Sequence, residues 1–87
     1  MIDSGIPLTA LSPGQYGIVV ELLGDGGMRR RLLDLGLIVG TEIQCLGNSP
    51  LGDPSAYEFR DTVIALRAID AARVRVHPRR KEHKGWD

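Results

Sequence analysis

GGMRRRLLDLGLIVGTEI, residues Gly26 to Ile43, encloses one short helix and the start of a strand. Met28, Leu32 and Leu35 recur at four and three residues, so one apolar stripe runs along a helix, with Leu33 at its edge. Asp25-Gly26-Gly27 breaks whatever precedes it and offers an N-cap. Gly36 stands where a helix ends in a left-handed residue, with Leu37 folding back on the last turn. The pattern predicts a helix of about two and a half turns. Gly40 then opens a strand, Thr41 to Leu46, in which Ile43 and Cys45 share a face and Glu42 and Gln44 take the other.

Outward from that core the chain alternates strands with turns. Upstream, Ser12-Pro13-Gly14-Gln15 has the residues of a type II turn, with Pro13 presetting φ and Gly14 supplying the positive φ. Tyr16, Ile18, Val20 and Leu22 then alternate with Gly17, Val19 and Glu21, and the first set is expected to form the well-filled face. Downstream, Gly47 to Pro54 is dense in turn formers and reads as a loop. Ala56 to Arg60 and Thr62 to Arg67 are expected as a hairpin closing at Asp61. Ala68 to Ala72 reads as a helical turn, and Val74 with Val76 as a last short strand. The predicted architecture is mainly β: a small five-stranded barrel with one short α-helix after the first strand, spanning residues 1–76. His77 to Asp87, HPRRKEHKGWD, has no apolar periodicity and reads as a flexible basic tail over 77–87.

The bulk numbers agree with one thin-cored domain. The 87 residues are 43% apolar and 25% charged, and eleven basic residues balance eleven acidic ones. The charge is unevenly placed. No Lys or Arg precedes Arg29, whereas Arg73 to Asp87 holds six basic residues against two acidic ones. Cys45 is the only cysteine, which excludes an intrachain disulfide and suits a reducing compartment. The first residues have neither the basic nor the apolar region of a signal peptide, and no apolar run approaches the roughly 18 residues of a membrane span. The expected location is cytoplasmic, without direct membrane insertion.

Two stretches carry a resemblance to a known family. Gly26 to Ile43 and Ser49-Pro50-Leu51-Gly52-Asp53-Pro54, followed by the hairpin and Leu66-Arg67, resemble the FeoA family, as does the opening Leu8 to Gly14. The same domain is found at the C-terminus of some iron-dependent repressors. The resemblance implies an SH3-like barrel that works beside FeoB, the membrane GTPase importing Fe²⁺, and it implies no catalysis. It makes the chain an interaction module binding and regulating the cytoplasmic GTPase part of that transporter, and weak self-association is compatible with it. The alternative is a nucleic-acid-binding or repressor-associated small barrel. Against that stands the scarcity of aromatic stacking platforms, since Tyr16, Tyr57, Phe59 and Trp86 are the only aromatics. No specific nucleic acid is expected.

The candidate partner-binding residues are Arg29, Arg30, Leu51, Gly52, Asp53 and Pro54. Arg29, Arg30 and Arg31 read as first-turn residues, where the helix dipole disfavours positive charge. Their stems either cover barrel surface with solvated heads or form a docking face. The Pro50–Pro54 loop is either a rigid turn with Asp53 bonding its own backbone or a presenter of Leu51. Metal and catalytic roles find little material. Cys45 reads as a small buried hydrophobe, and His77 and His83 lack the spacing of a zinc pattern. No nucleophile motif is present, and GDGG lacks the lysine of a phosphate-binding loop. No cofactor, metal or catalytic residue is expected.

Overall fold

The structure is a computed structural model that describes residues 5–79. Its strands are β1 (Ile6–Pro7), β2 (Tyr16–Leu22), β3 (Glu42–Asn48), β4 (Ser55–Phe59), β5 (Thr62–Leu66) and β6 (Val74–Arg79). Helix α1 (Gly27–Asp34) links β2 to β3, and the single turn α2 (Ala68–Ala71) links β5 to β6. All six strands pair antiparallel in one sheet of order β1-β6-β2-β3-β4-β5.

The turns that shape the sheet follow from their residues. Gly14 takes φ +88° and the Gln15 N–H donates to Ser12 O at 2.9 Å, closing the type II turn. At the end of α1, Gly36 takes φ +101°. The Leu37 N–H donates to Leu32 O at 2.9 Å and the Gly36 N–H to Leu33 O at 3.0 Å, the paired bonds of a Schellman cap. Leu37 is thereby fully buried beside Leu32. Thr41 locks the following turn, its Oγ1 accepting from the Ile38 N–H and donating to Gly36 O. Burying that one hydroxyl is harmless because both of its capacities are used.

Four expectations change. First, the strands number six, because Ile6–Pro7 pairs with Val76 and Arg75 of β6. Two residues are too few to show an alternation. Second, β6 runs through Arg79, so His77, Pro78 and Arg79 lie in the strand and not in a tail. Residues 80–87, with His83 and the rest of the expected tail, lie outside the described residues. Third, the buried face of β2 is Gly17 and Val19, and Tyr16, Ile18 and Val20 are only half-buried. Gly17 is there because β6 comes close: a Cβ on it would stand 3.0 Å from Val76 Cβ. A shift of register between Val19 and Glu21 then turns Leu22 back toward the core. Fourth, Leu35 lies past the last helical residue and is exposed, so Met28, Leu32 and Leu37 form the helix's contact with the core.

Inside the sheet sit Val19, Ile43, Cys45, Tyr57, Phe59, Leu66, Val74 and Val76, closed off by Leu8, Leu11, Leu32, Leu37 and Ala71. Burying a side chain of this size is worth about 1.5–3 kcal/mol each.

Candidate functional site

The sequence-predicted partner residues fall in two places. Arg29 lines a cavity of about 210 Å³ between the Leu22–Gly27 connection, the start of α1, and the α2–β6 junction. Its floor is apolar, with Leu32 and Val74 buried and Leu22 and Met28 half-buried beneath it. Its rim is charged: Asp25, Arg29, Asp70 and Arg73. Two backbone-directed bonds hold the walls together. The Leu23 N–H donates to Arg73 O at 2.7 Å, and Arg29 Nε reaches Leu22 O at 3.4 Å. Gly24, at φ +84°, leaves room for Arg73 to lie across it, since a Cβ there would meet Arg73 Nη1 at 3.1 Å. Arg30 is exposed outside the cavity.

Helix α1 has no acidic residue in its first turn, and its N-cap, Gly26, makes no side-chain capping bond. Arg29 and Arg30 therefore stand where the dipole opposes them. Arg31 was expected with them but belongs to the last turn, where its charge is favoured.

Leu51, Gly52, Asp53 and Pro54 form the second place. The Gly52 N–H donates to Ser49 O at 2.8 Å and the Ser49 N–H to Pro54 O at 3.0 Å, so the loop closes on itself. Gly52 takes φ +91°, and Leu51 at the tip is 93% exposed. Asp53 does not bond its own backbone, as the turn reading expected. Its Oδ1 accepts from the Ala68 N–H at 2.8 Å, capping α2 from 15 residues away. Pro54 lines a shallow recess of about 360 Å³ with Leu46, Ser49, Ala56 and Ala65 on the outer face of the sheet. The Ser49 hydroxyl there is buried without a hydrogen-bond partner.

The two places do not share a cavity, but both rest on the segment Ala68–Val74. Its first N–H anchors Asp53, and its Asp70, Arg73 and Val74 line the cavity beside Arg29. Sequence reading assigned Asp70 no role and took Arg73 only as the start of the basic C-terminal stretch. The available signal was Leu22-Leu23-Gly24, an apolar pair before a glycine at a strand-to-helix turn, which something must cover.

Neither buried ionisable side chain offers chemistry at neutral pH. Cys45 and Tyr57 face each other across β3 and β4. Burial pushes the Cys45 thiol above its ordinary value, outweighing the backbone bond from Gly47. Burial likewise raises the Tyr57 phenol. Both stay protonated, so Cys45 is an inert core residue. Among the described residues no group of three or more His, Cys, Asp and Glu could hold a metal ion. No described helix is long and apolar enough to cross a membrane. An apolar floor with a mixed-charge rim is an arrangement suited to holding another protein.

Comparison with known proteins agrees with this geometry. The FeoA domain family matches residues 6–78. A curated relative from Porphyromonas gingivalis, a fusion of Fe(2+) transport protein A with the Fe(2+) transporter FeoB, is 35% identical over 69 residues. Those residues are 79% of this chain and only 8% of the relative. The solution structure of FeoA from Chlorobium tepidum superposes with a TM-score of 0.81 at 29% identity, covering 92% of this chain and 76% of that one. FeoA from Stenotrophomonas maltophilia, complexed with zinc and described as a prokaryotic SH3 domain protein, gives 0.73 at 28% identity, covering 83% and 89%. The fold is the SH3-like one, and the chain belongs to the FeoA domain family.

Proposed function

We propose that this chain is a non-enzymatic accessory protein of ferrous iron uptake that binds and regulates the cytoplasmic GTPase part of a FeoB-type transporter. The observation that carries this reading is the Porphyromonas gingivalis relative, whose homologous segment is joined to FeoB in one polypeptide. Fusion holds two domains at high effective concentration, the arrangement expected of domains that dock on each other. The cavity beside Arg29 and the Leu51 loop are the surfaces we assign to that task. The protein acts in the cytoplasm, where the transporter's GTPase domain is found, and Fe²⁺ is the transporter's cargo.

Titrating isotope-labelled chain with the purified GTPase domain tests this. Amide shifts should concentrate at 22–32, 49–54 and 68–74, and Arg29→Ala with Arg30→Ala should weaken binding several-fold. No shift at any residue, or shifts confined to other faces, overturns the reading.

A further inference from the structure

We infer that β5 is a self-complementary edge through which two copies of this chain pair antiparallel. The sheet has two edge strands, β1 and β5. β1 is protected by the usual devices: it is two residues long and one of them is Pro7. β5 has no such protection. Its five residues, Thr62-Val63-Ile64-Ala65-Leu66, include no charge and no proline.

The hairpin fixes which backbone groups face outward. Arg60 and Asp61 take φ +50° and +63°, a two-residue turn that makes Phe59 and Thr62 the closing pair. The bonds to β4 then fall on Thr62, Ile64 and Leu66, leaving the N–H and C=O of Val63 and Ala65 directed away from the sheet. Among the described residues no further hydrogen bond occupies these groups. Both residues are exposed, Val63 by 58%.

The sequence around this edge pairs with itself. In Asp61-Thr62-Val63-Ile64-Ala65-Leu66-Arg67, a two-fold axis at Ile64 sets Val63 opposite Ala65 of the second copy. The pair can exchange both of its backbone bonds, and the symmetric pair does the same, for about four bonds in all. The same axis sets Asp61 opposite Arg67 at each end. Both are exposed, and neither makes an ion pair among the described residues. The charges therefore match a second copy in this register, lose their partners if the strand slips by two residues, and face like charges if it runs parallel in register. One strand pair buries less than a stable interface needs, so the association is weak, with a dissociation constant on the order of 0.1–1 mM. It uses neither the cavity beside Arg29 nor the Leu51 tip, and so does not depend on the transporter-docking reading.

Sedimentation velocity and amide relaxation between about 20 μM and 1 mM chain test the pairing. The expected result is a concentration-dependent dimer, with amide shifts centred on Val63 and Ala65. Asp61→Lys and Arg67→Glu should each weaken it about tenfold, and an equimolar mixture of the two variants should recover it, because each reversed charge then meets its complement. Val63→Lys guards against loss of folding at the Asp61 turn, since its side chain points to solvent, and it should also abolish the dimer at an unchanged melting temperature. A native chain that stays monomeric at 1 mM overturns the inference. So does a dimer indifferent to all three substitutions, or folded charge variants whose mixture fails to recover.

Discussion

Gly36 and Gly52 take similar backbone conformations, φ +101° and +91°, and each sits beside a leucine, yet the two leucines meet opposite fates. Leu37 is fully buried and Leu51 is 93% exposed. The glycines themselves do not make the difference. At Gly36 the turn is crossed by bonds that return the chain to its own helix, from the Leu37 N–H to Leu32 O and from the Thr41 hydroxyl to Gly36 O. The Arg60 side chain also lies over Gly36, within 3.2 Å of where a Cβ would be. At Gly52 the bonds run only within the loop, Gly52 N–H to Ser49 O and Ser49 N–H to Pro54 O, with Asp53 tying its foot to α2. The first turn folds a leucine in; the second holds one out. Folding accounts for Leu37 and leaves Leu51 without a structural purpose.

The sharpest attack on this comparison is at the buried turn. Leu32 is 3% exposed, and its carbonyl receives Leu37. Leu32→Ala should cost about 2–5 kcal/mol, by lost burial plus the cavity left behind. For a domain of this size each kcal/mol moves the melting temperature by about 4–8 °C, so a drop beyond roughly 10 °C is expected in thermal denaturation. A loss below about 1 kcal/mol would mean that the turn is not anchored through the core, and the contrast would collapse.

A smaller effect is expected at the foot of the exposed loop. Asp53→Ala removes the acceptor for the Ala68 N–H and should cost about 1 kcal/mol, the ordinary worth of a helix N-cap. Asp53→Asn keeps an oxygen there and should recover most of it in chemical denaturation. If Asp53→Ala is neutral, the loop is not tied to α2, and Leu51 is displayed on a freer segment than the hydrogen bonds imply.

Much of the buried half of this comparison was legible in the sequence. The limits of β2, the placement of α1, the left-handed Gly36 and the turn at Gly14 all depend on residues within a few positions of one another. What was missed depends on contacts distant in sequence. The inward face of β2 was misassigned because the glycine there answers to Val76, nearly sixty positions on. β1 exists only because β6 pairs with it, and β6 continues through Pro78 because Tyr16 and Gly17 lie alongside it. The candidate site divides the same way. Leu51 stood out as an apolar residue among turn formers, whereas Asp53 as a cap, and Asp70 and Arg73 beside Arg29, follow only from the folded arrangement.

The smallest effect on stability is expected at Leu51, and it is the one on which the comparison turns. A side chain 93% exposed has little burial to lose, so Leu51→Ala should leave the melting temperature within about 2 °C of the parent. In the unbound protein its apolar surface stays in water, at a position fixed by the Gly52 and Pro54 turns. That fixed position means a partner spends little conformational entropy in ordering it. If Leu51 enters a pocket on the transporter's GTPase domain, truncating it to alanine should weaken binding by about 1 kcal/mol or more, which calorimetry resolves as at least a fivefold change in dissociation constant. The double variant with Arg29→Ala reports on whether loop and cavity meet one partner surface. Additive losses place them in separate contacts of one interface, and a loss no larger than the single variants' places them in a shared one. Leu51→Ala that melts early would show that the loop tip supports the fold, and Leu51 would then belong with Leu37. Unchanged stability with unchanged binding would remove Leu51 from the interface and leave the Arg29 cavity to carry the docking alone.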